Sequence, residues 1–405
     1  MKTKIVDCWH SYNVFVPVYY DLRTKVHNFP KKIAGRPLKI VHALAYYGNY
    51  LGGIQHSVHE VSKRQMAMGH DVRIVTSDIF GNGPVVDGVT VKRLKTFLRA
   101  FRVPFVPSLP LDLVKENCDV LHVYLPLPWF DICSAFEKIL HSEVKLVLSI
   151  RNLLPNSASP ARKMAAVVHD NFTIRVGMNA ANAIVFTNDE FASSVPYPVP
   201  RSKTFIVPNG VDTDVFHPNA DYTHEENQVL FVGRLIPEKG LTVLMHAMKI
   251  VRAKCPEAKL VAVVSDYYNE RRYLQDVLGL DQGFLELRSN LPILELAQLY
   301  RESTVFVLPS IGLESFGNVL VEAMASGCPV VGTDLPGPRG LILSGASSSV
   351  GIVVPRNDPE ALAGAVINEL RNDNNKRRGK IAEFAKRRIS WDVVARQLIS
   401  LYKKC

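Results

Sequence analysis

Nowhere in the 405 residues does an apolar run reach the roughly 18 residues that a spanning helix requires. An integral helical membrane protein is therefore not expected. A secretory leader is not expected either, because Asp7, His10 and Asn13 interrupt any apolar stretch after Lys2 and Lys4. Cysteine is scarce and scattered: Cys8, Cys118, Cys133, Cys255, Cys328 and Cys405 include no C-x-x-C pair. That spacing speaks against a zinc knuckle and a disulfide framework and fits a reducing, cytoplasmic compartment. The sequon Asn171-Phe172-Thr173 then lacks a secretion route and reads as chance. There is no short-period repeat. Gly48, Gly52 and Gly53 have the wrong spacing for a dinucleotide fingerprint after the first strand. Lys and Arg exceed Asp and Glu by 48 to 38, a net charge of +10, yet no recognisable nucleic-acid module organises them. No nucleic-acid partner is expected.

What is present is an ordinary globular balance, 47% hydrophobic and 21% charged, in a chain long enough for two or three domains. Residues 1–37 read as an irregular, aromatic-rich extension ending at Pro30-Lys31-Lys32. From Leu38, short apolar strands alternate with helices, the mark of a parallel sheet covered on both faces. Strands are expected at 38–45, 71–76, 120–124, 144–150 and 183–187, with a helix from about Ile54 to Met68 that Gly69 stops. The Pro-rich stretch 194–200 suits a linker. The pattern then restarts, with strands at 204–207, 229–232, 259–264, 305–308 and 329–332 and a last amphipathic helix over about 391–403. The expected fold class is α/β, with two doubly wound Rossmann-like domains facing across a cleft, at 38–195 and 203–387. In such sheets ligands bind beyond the carboxyl ends of the strands.

The most informative stretch runs from Pro309 to Gly327. It leaves a strand, turns through small residues and opens a helix near Phe316. Free N–H groups of Phe316, Gly317 and Asn318 at that helix start suit a phosphate or developing negative charge. Glu314 precedes them and Glu322 follows one to two turns later, two carboxylates placed to accept hydrogen bonds from a sugar and a ribose. Upstream, Arg234 ends a strand and Lys239 lies in the next turn, either two cations converging on a phosphate-bearing ligand at a strand-end cleft or an ordinary surface pair with Glu238. Gly52 and Gly53 sit where the first strand meets its helix, and by themselves fit either a simple tight turn or close approach of a phosphate or sugar.

The setting Glu-Ser-Phe-Gly-Asn-x3-Glu-Ala-Met-Ala-x-Gly resembles the retaining GT-B glycosyltransferases of family 4 (glycosyl transferases group 1). Pro208-Asn209-Gly210-Val211-Asp212 and the run Phe231–Gly240 carry the resemblance further, over about residues 38–403. It implies transfer of a hexose, with retention, from a nucleoside-diphosphate sugar (GDP-mannose or a UDP-hexose) to a hydroxyl of a glycan, lipid-linked or small acceptor. It implies Glu314, Arg234 and Lys239 as catalytic residues and Gly52, Gly53, Phe316, Gly317, Asn318 and Glu322 as donor contacts. The last helix, about 388–405, would pack back on the N-terminal domain. No cofactor or metal is expected, and Asp212-Thr213-Asp214 reads as turn chemistry rather than a metal-binding D-x-D.

Three positions depart from the pattern. Arg151 stands where family members often carry a His, and it suits either an acidic acceptor or plain surface. Ser265-Asp266-Tyr267-Tyr268 replaces a Gly-rich turn. His122 matches a family position and is either an acceptor or sugar contact or a satisfied core residue. Residues 91–102 read as a basic amphipathic helix carrying Leu94, Phe97, Leu98 and Phe101 on one face. That helix suits either docking within the fold or an anionic membrane surface, so the expected location is cytoplasmic, with a peripheral place at the inner membrane as the second option. The rival functional readings are a non-catalytic sugar-nucleotide-binding or scaffold protein of the same fold and, behind it, a dinucleotide oxidoreductase.

Overall fold

A computed structural model describes residues 36–48, 52–80, 83–100, 103–153, 160–219, 227–265, 271–289, 291–345, 350–372 and 375–405. The extension expected over 1–37 lies almost wholly outside these residues, as do Asp266, Tyr267 and Tyr268. The described chain divides into two compact units. The N-terminal unit comprises 36–209 with 391–405, and the central unit comprises 210–390.

The N-terminal unit holds ten strands: β1 (Lys39–Ala43), β2 (Asp71–Ser77), β3 (Val85–Val86), β4 (Val89–Leu94), β5 (Leu98–Ala100), β6 (Val103–Phe105), β7 (Val120–Leu125), β8 (Lys145–Ile150), β9 (Ala183–Phe186) and β10 (Thr204–Ile206). Eight of them form one sheet in the order β10-β9-β8-β7-β1-β2-β4-β3, parallel throughout except that β3 runs against β4. β7 is buried along its whole length, as a central strand covered on both faces requires. The helices are α1 (Gly53–Ala67), α2 (Leu109–Glu116), α3 (Pro128–Leu140), α4 (Pro160–Val168), a π turn at His169–Thr173 that runs on into α5 (Ile174–Ala180), and α6 (Asp189–Ser194). One core gathers Phe130, Leu148, Ile174 and Phe186. Another receives the C-terminal helix Trp391–Lys404, whose Val394, Leu398 and Leu401 pack with Ile40, Val120 and Val147.

Two expectations are corrected. The strand near 204–207 forms, but it pairs with β9 in the N-terminal sheet rather than opening the second half. The turn at Gly210 is where the chain leaves this unit, so the prolines of 194–200 lie inside it. Residues 91–100 are not a helix, and the last two residues of the expected segment lie outside the described residues. Val91 and Leu94 lie in β4, buried on opposite faces of the sheet, Val91 beside Val89 in one cluster and Leu94 in another, and β5 and β6 pair antiparallel. The local cations are drawn into the fold: Lys92 pairs with Asp112 at 3.0 Å and Glu116 at 2.8 Å, and Arg93 donates to the carbonyls of Tyr47 and Phe80. The helical spacing of Leu94, Phe97 and Leu98 is overridden here by strand pairing, which leaves Leu94 buried and Phe97 and Leu98 exposed.

The central unit is a six-stranded parallel sheet in the order β13-β12-β11-β14-β15-β16. Its strands are β11 (Gln228–Arg234), β12 (Lys259–Ser265), β13 (Leu285–Ser289), β14 (Val305–Leu308), β15 (Val330–Thr333) and β16 (Gly351–Val354). Between and after them run α7 (Leu241–Lys254), α8 (Arg271–Gly279), α9 (Ile293–Glu302), α10 (Asn318–Ala325), α11 (Pro336–Ser344), α12 (Pro359–Arg371) and α13 (Asn375–Ile389). The chain then enters the C-terminal helix already described, α14. Apolar clusters cover both faces of the sheet. The edge strands β13 and β16 went unread in the sequence, because Leu285-Glu286-Leu287-Arg288-Ser289 is half polar and 351–354 is only four residues long.

Candidate active site

The parallel order places the carboxyl ends of β11 and β14 side by side, and the expected donor residues follow from both. Arg234 ends β11 with its side chain exposed. A 3-10 turn at Pro237–Lys239 follows, closed by Gly240 at φ +69°. A Cβ at Gly240 would lie 1.9 Å from the Pro309 carbonyl oxygen, so only glycine permits this approach. The two loops are also joined by backbone bonds: Ile311 and Gly312 N–H both donate to the Glu238 carbonyl, at 2.9 and 3.0 Å. The result is that Lys239 Nζ forms an ion pair with Glu314 Oε2, across 75 positions of sequence. Both side chains remain partly accessible.

Glu314 is fixed from its other side by α11. The Gly337 N–H donates to the Glu314 carbonyl at 2.9 Å, and a Cβ at Gly337 would lie 2.3 Å from that oxygen and 2.5 Å from the Phe316 nitrogen. Phe316 itself is anchored in the core. Gly317 caps α10, which starts at Asn318 rather than at Phe316. The helix ends at Gly327 as expected, with Gly327 and Cys328 N–H donating to the Met324 and Ala323 carbonyls.

Glu322 faces inward from the second turn of α10 and is only 7% exposed. The Tyr300 hydroxyl on α9 donates to its Oε2 at 3.0 Å. Burial raises the Glu322 carboxyl to about 8, against the opposing pull of the tyrosine bond. Tyr300 was not singled out in the sequence, since nothing in a lone tyrosine of an amphipathic helix signals a bond to a residue 22 positions on. It is held edge-on between Phe216 and Phe306, with ring centroids 5.9 and 5.4 Å away.

In the N-terminal unit, Gly52 precedes α1 and Gly53 is its first residue, as expected. His122 is a core residue: it is fully buried, its Nδ1 lies 2.5 Å from the Tyr402 hydroxyl and its Nε2 2.6 Å from Ser149 Oγ. With both ring nitrogens bonded inside the unit, it has no atom left to offer a ligand. The bonding continues through Tyr124 to His42 at 3.2 Å and on to Gln65 at 2.8 Å. Burial holds His122 well below its ordinary value and lowers His42 to about 4. Arg151 follows β8 and is not a surface residue. It is 6% exposed, donates to Asn209 Oδ1 at 2.6 Å, and its guanidinium carbon stands 5.7 Å from the Tyr124 ring centre. Asp212 serves its turn, its Oδ1 accepting from the Asp214 N–H at 3.0 Å. Among the described residues no cluster of three or more His, Cys, Asp or Glu is arranged for a metal, and no helix is long and apolar enough to cross a membrane.

Comparison with known proteins agrees with this geometry. The family described as "Glycosyltransferase Family 4" matches residues 51–215, and "Glycosyl transferases group 1" matches 226–372. The phosphatidyl-myo-inositol mannosyltransferase of Mycolicibacterium smegmatis is 35% identical over 203 residues, covering 49% of this chain and 51% of that protein. The D-inositol 3-phosphate glycosyltransferase of Corynebacterium efficiens is 32% identical over 248 residues, covering 56% and 57%. The chain thus spans about half the length of the curated relatives it matches. Among solved structures, a sucrose-phosphate synthase from Thermosynechococcus elongatus superposes with a TM-score of 0.69 at 22% identity, over 91% of this chain and 98% of that one, a likeness of fold. Two family matches falling in succession along the chain, with Lys239, Glu314 and Glu322 in place on a doubly wound sheet, lead to one conclusion: the chain belongs to the family 4 glycosyltransferases of GT-B fold.

Proposed function

We propose that the protein transfers a hexose from a nucleoside-diphosphate sugar to an acceptor hydroxyl, with retention at the anomeric carbon and without a metal. The observation that carries this reading is the Lys239–Glu314 pair at the carboxyl edge of the central sheet. It brings a cation suited to the leaving diphosphate beside a carboxylate suited to the sugar hydroxyls. Arg234 adds the second cation, its exposed side chain free to swing onto a phosphate. The N–H groups of Phe316, Gly317 and Asn318 would serve the sugar and phosphate at the start of α10, and buried Glu322 would take the ribose. Gly52 and Gly53 leave room for the donor beside α1.

For the acceptor, the names of the two relatives share an inositol bearing phosphate, free in one and lipid-linked in the other. We extend that class to this chain and place a mannosyl donor first, with a UDP-hexose second. Arg151, buried and bonded through Asn209, acts by shaping the end of β8.

Calorimetric titration with GDP, UDP and ADP, each with and without Mg²⁺, tests the reading. One diphosphate should bind without metal, and Lys239→Met should weaken it while lowering kcat/KM roughly 10²–10³-fold, the scale of losing one preorganised charge partner. Glu322→Ala should remove transfer from a folded protein. Binding that strictly requires Mg²⁺ sinks the metal-free mechanism, and no binding of any diphosphate sinks the transferase reading.

A further inference from the structure

We infer that the outward face of the continuous helix formed by α4, the π turn and α5 docks on an anionic lipid bilayer. This helix runs from Pro160 to Ala180. Its inner face is committed to the N-terminal unit through His169, Thr173, Ile174 and Met178, all buried. Its outer face leaves large apolar side chains in water at helical spacing: Met164 at 64%, Val167 at 55%, Val168 at 49% and Phe172 at 61% exposed. A soluble helix places polar residues there. Four contiguous apolar side chains on one outward face mark a contact surface.

The charges on that face select the partner. Lys163 and Arg175 flank the apolar residues and are exposed. The single acidic residue between 160 and 180 is Asp170, whose Oδ1 is engaged by His169 Nδ1 at 2.9 Å. An apolar stripe flanked by two exposed cations, with its one acidic neighbour paired to a histidine, has the composition of a helix lying in a headgroup region. The distribution over the whole molecule points the same way. The N-terminal unit, 36–209 with 391–405, carries 22 Lys and Arg against 14 Asp and Glu, a net of +8. Residues 210–390 carry 20 against 22, a net of −2. The basic excess therefore lies with the unit that bears the stripe. A second copy of the chain is the poorer occupant, because a two-fold contact through this face would set Lys163 and Arg175 of one copy against those of the other. The neighbouring α3 also exposes Phe136, Ile139 and Leu140.

Docking here gives a lipid-linked acceptor a place to be met, but binding itself needs neither donor nor acceptor chemistry, so it can fail or succeed apart from the transferase reading. The test is co-sedimentation of the full chain with vesicles of phosphatidylcholine alone and of phosphatidylcholine mixed with phosphatidylglycerol, over a salt series. The wild type should bind the mixed vesicles and release as salt rises. Phe172→Asp should weaken that binding about tenfold or more, the scale of withdrawing one buried aromatic side chain. K163Q/R175Q should weaken it roughly 10- to 30-fold and flatten the salt dependence. These positions are exposed, so folding should survive, and circular dichroism with nucleotide titration checks that. Unchanged vesicle binding by Phe172→Asp overturns the inference. So does a lipid-free dimer, seen by sedimentation velocity, that Phe172→Asp dissolves.

Discussion

Glu322 shows how much chemistry one buried side chain can hold. Its carboxyl sits in an apolar surround with the Tyr300 hydroxyl as bonding partner, and desolvation raises it to about 8. In the unfolded chain a glutamate ionises near its ordinary value, about 4.3. Between those two values the folded state holds a proton that the unfolded state has lost. The stabilisation is thus complete below the unfolded value and is lost as pH rises toward 8, amounting to a few kcal/mol at most. Urea titrations of Glu322→Gln beside the wild type should therefore show the variant gaining relative stability as pH is raised from about 5 to 8. A difference that stays constant over that range would mean Glu322 is not protonated in the fold. Tyr300→Phe keeps the ring between Phe216 and Phe306 and removes the hydroxyl alone. It should push the carboxyl further up and shift the pH dependence of diphosphate binding upward with it. The two glutamates were both legible in the sequence because their spacing around a helix start suggests chemistry. Tyr300 was not, since the bond depends on how α9 lies against α10.

At the scale of elements, the candidate site is a matter of loops pressed together. The turn 237–240 and the loop 309–317 approach so closely that Gly240 meets the Pro309 carbonyl, and Gly337 presses on the backbone at 314–316. Gly240→Ala would add both a steric overlap and a left-handed φ that alanine resists. It should cost about 2 kcal/mol or more of stability and reduce diphosphate affinity by displacing Lys239, readable by thermal melts and calorimetry on one sample. Normal affinity in a folded Gly240→Ala protein would show that the loop contact does not position Lys239. The element most misread was 91–102. Its apolar residues satisfy a helical period, but sheet pairing of β4 with β2 and the bonding of Lys92 and Arg93 to acceptors of the fold override the local pattern. Periodicity alone could not see those partners.

Over the whole molecule, the N-terminal unit is completed by residues from the far end of the chain. α14 contributes Trp391, Val394, Leu398 and Tyr402 to its core, Arg64 Nε bonds Asp392 at 2.8 Å, and Lys145 Nζ bonds the Tyr402 carbonyl at 2.8 Å. Each buried side chain of this size is worth about 1.5–3 kcal/mol, against about 5–15 kcal/mol for a whole domain. Removing 391–405 should therefore unfold this unit and leave the central one able to melt separately, seen by hydrogen exchange. The same unit also contains His42, His56 and His122, whose burial depresses them, the first two to about 4. The unfolded chain takes up these protons first as pH falls, so the associated stability is present above about 6.5 and drains away toward 4. Exchange protection in β1 and β7 should fall over that window before it falls in β11 and β14.

The alternation of short apolar strands with helices determined the parallel α/β class, because a strand covered on both faces must be apolar throughout. The order and spacing of Arg234, Lys239, Glu314 and Glu322 determined the family resemblance, since they sit at strand ends and a helix start that local residues specify. Tertiary structure decided the rest. Which sheet β10 joins, that His122 and Arg151 are interior, that Tyr300 serves Glu322, and that the face of 160–180 stays bare all depend on contacts between residues tens to hundreds of positions apart. Local sequence carries no energy term for such contacts. They exist only once the chain has closed on itself.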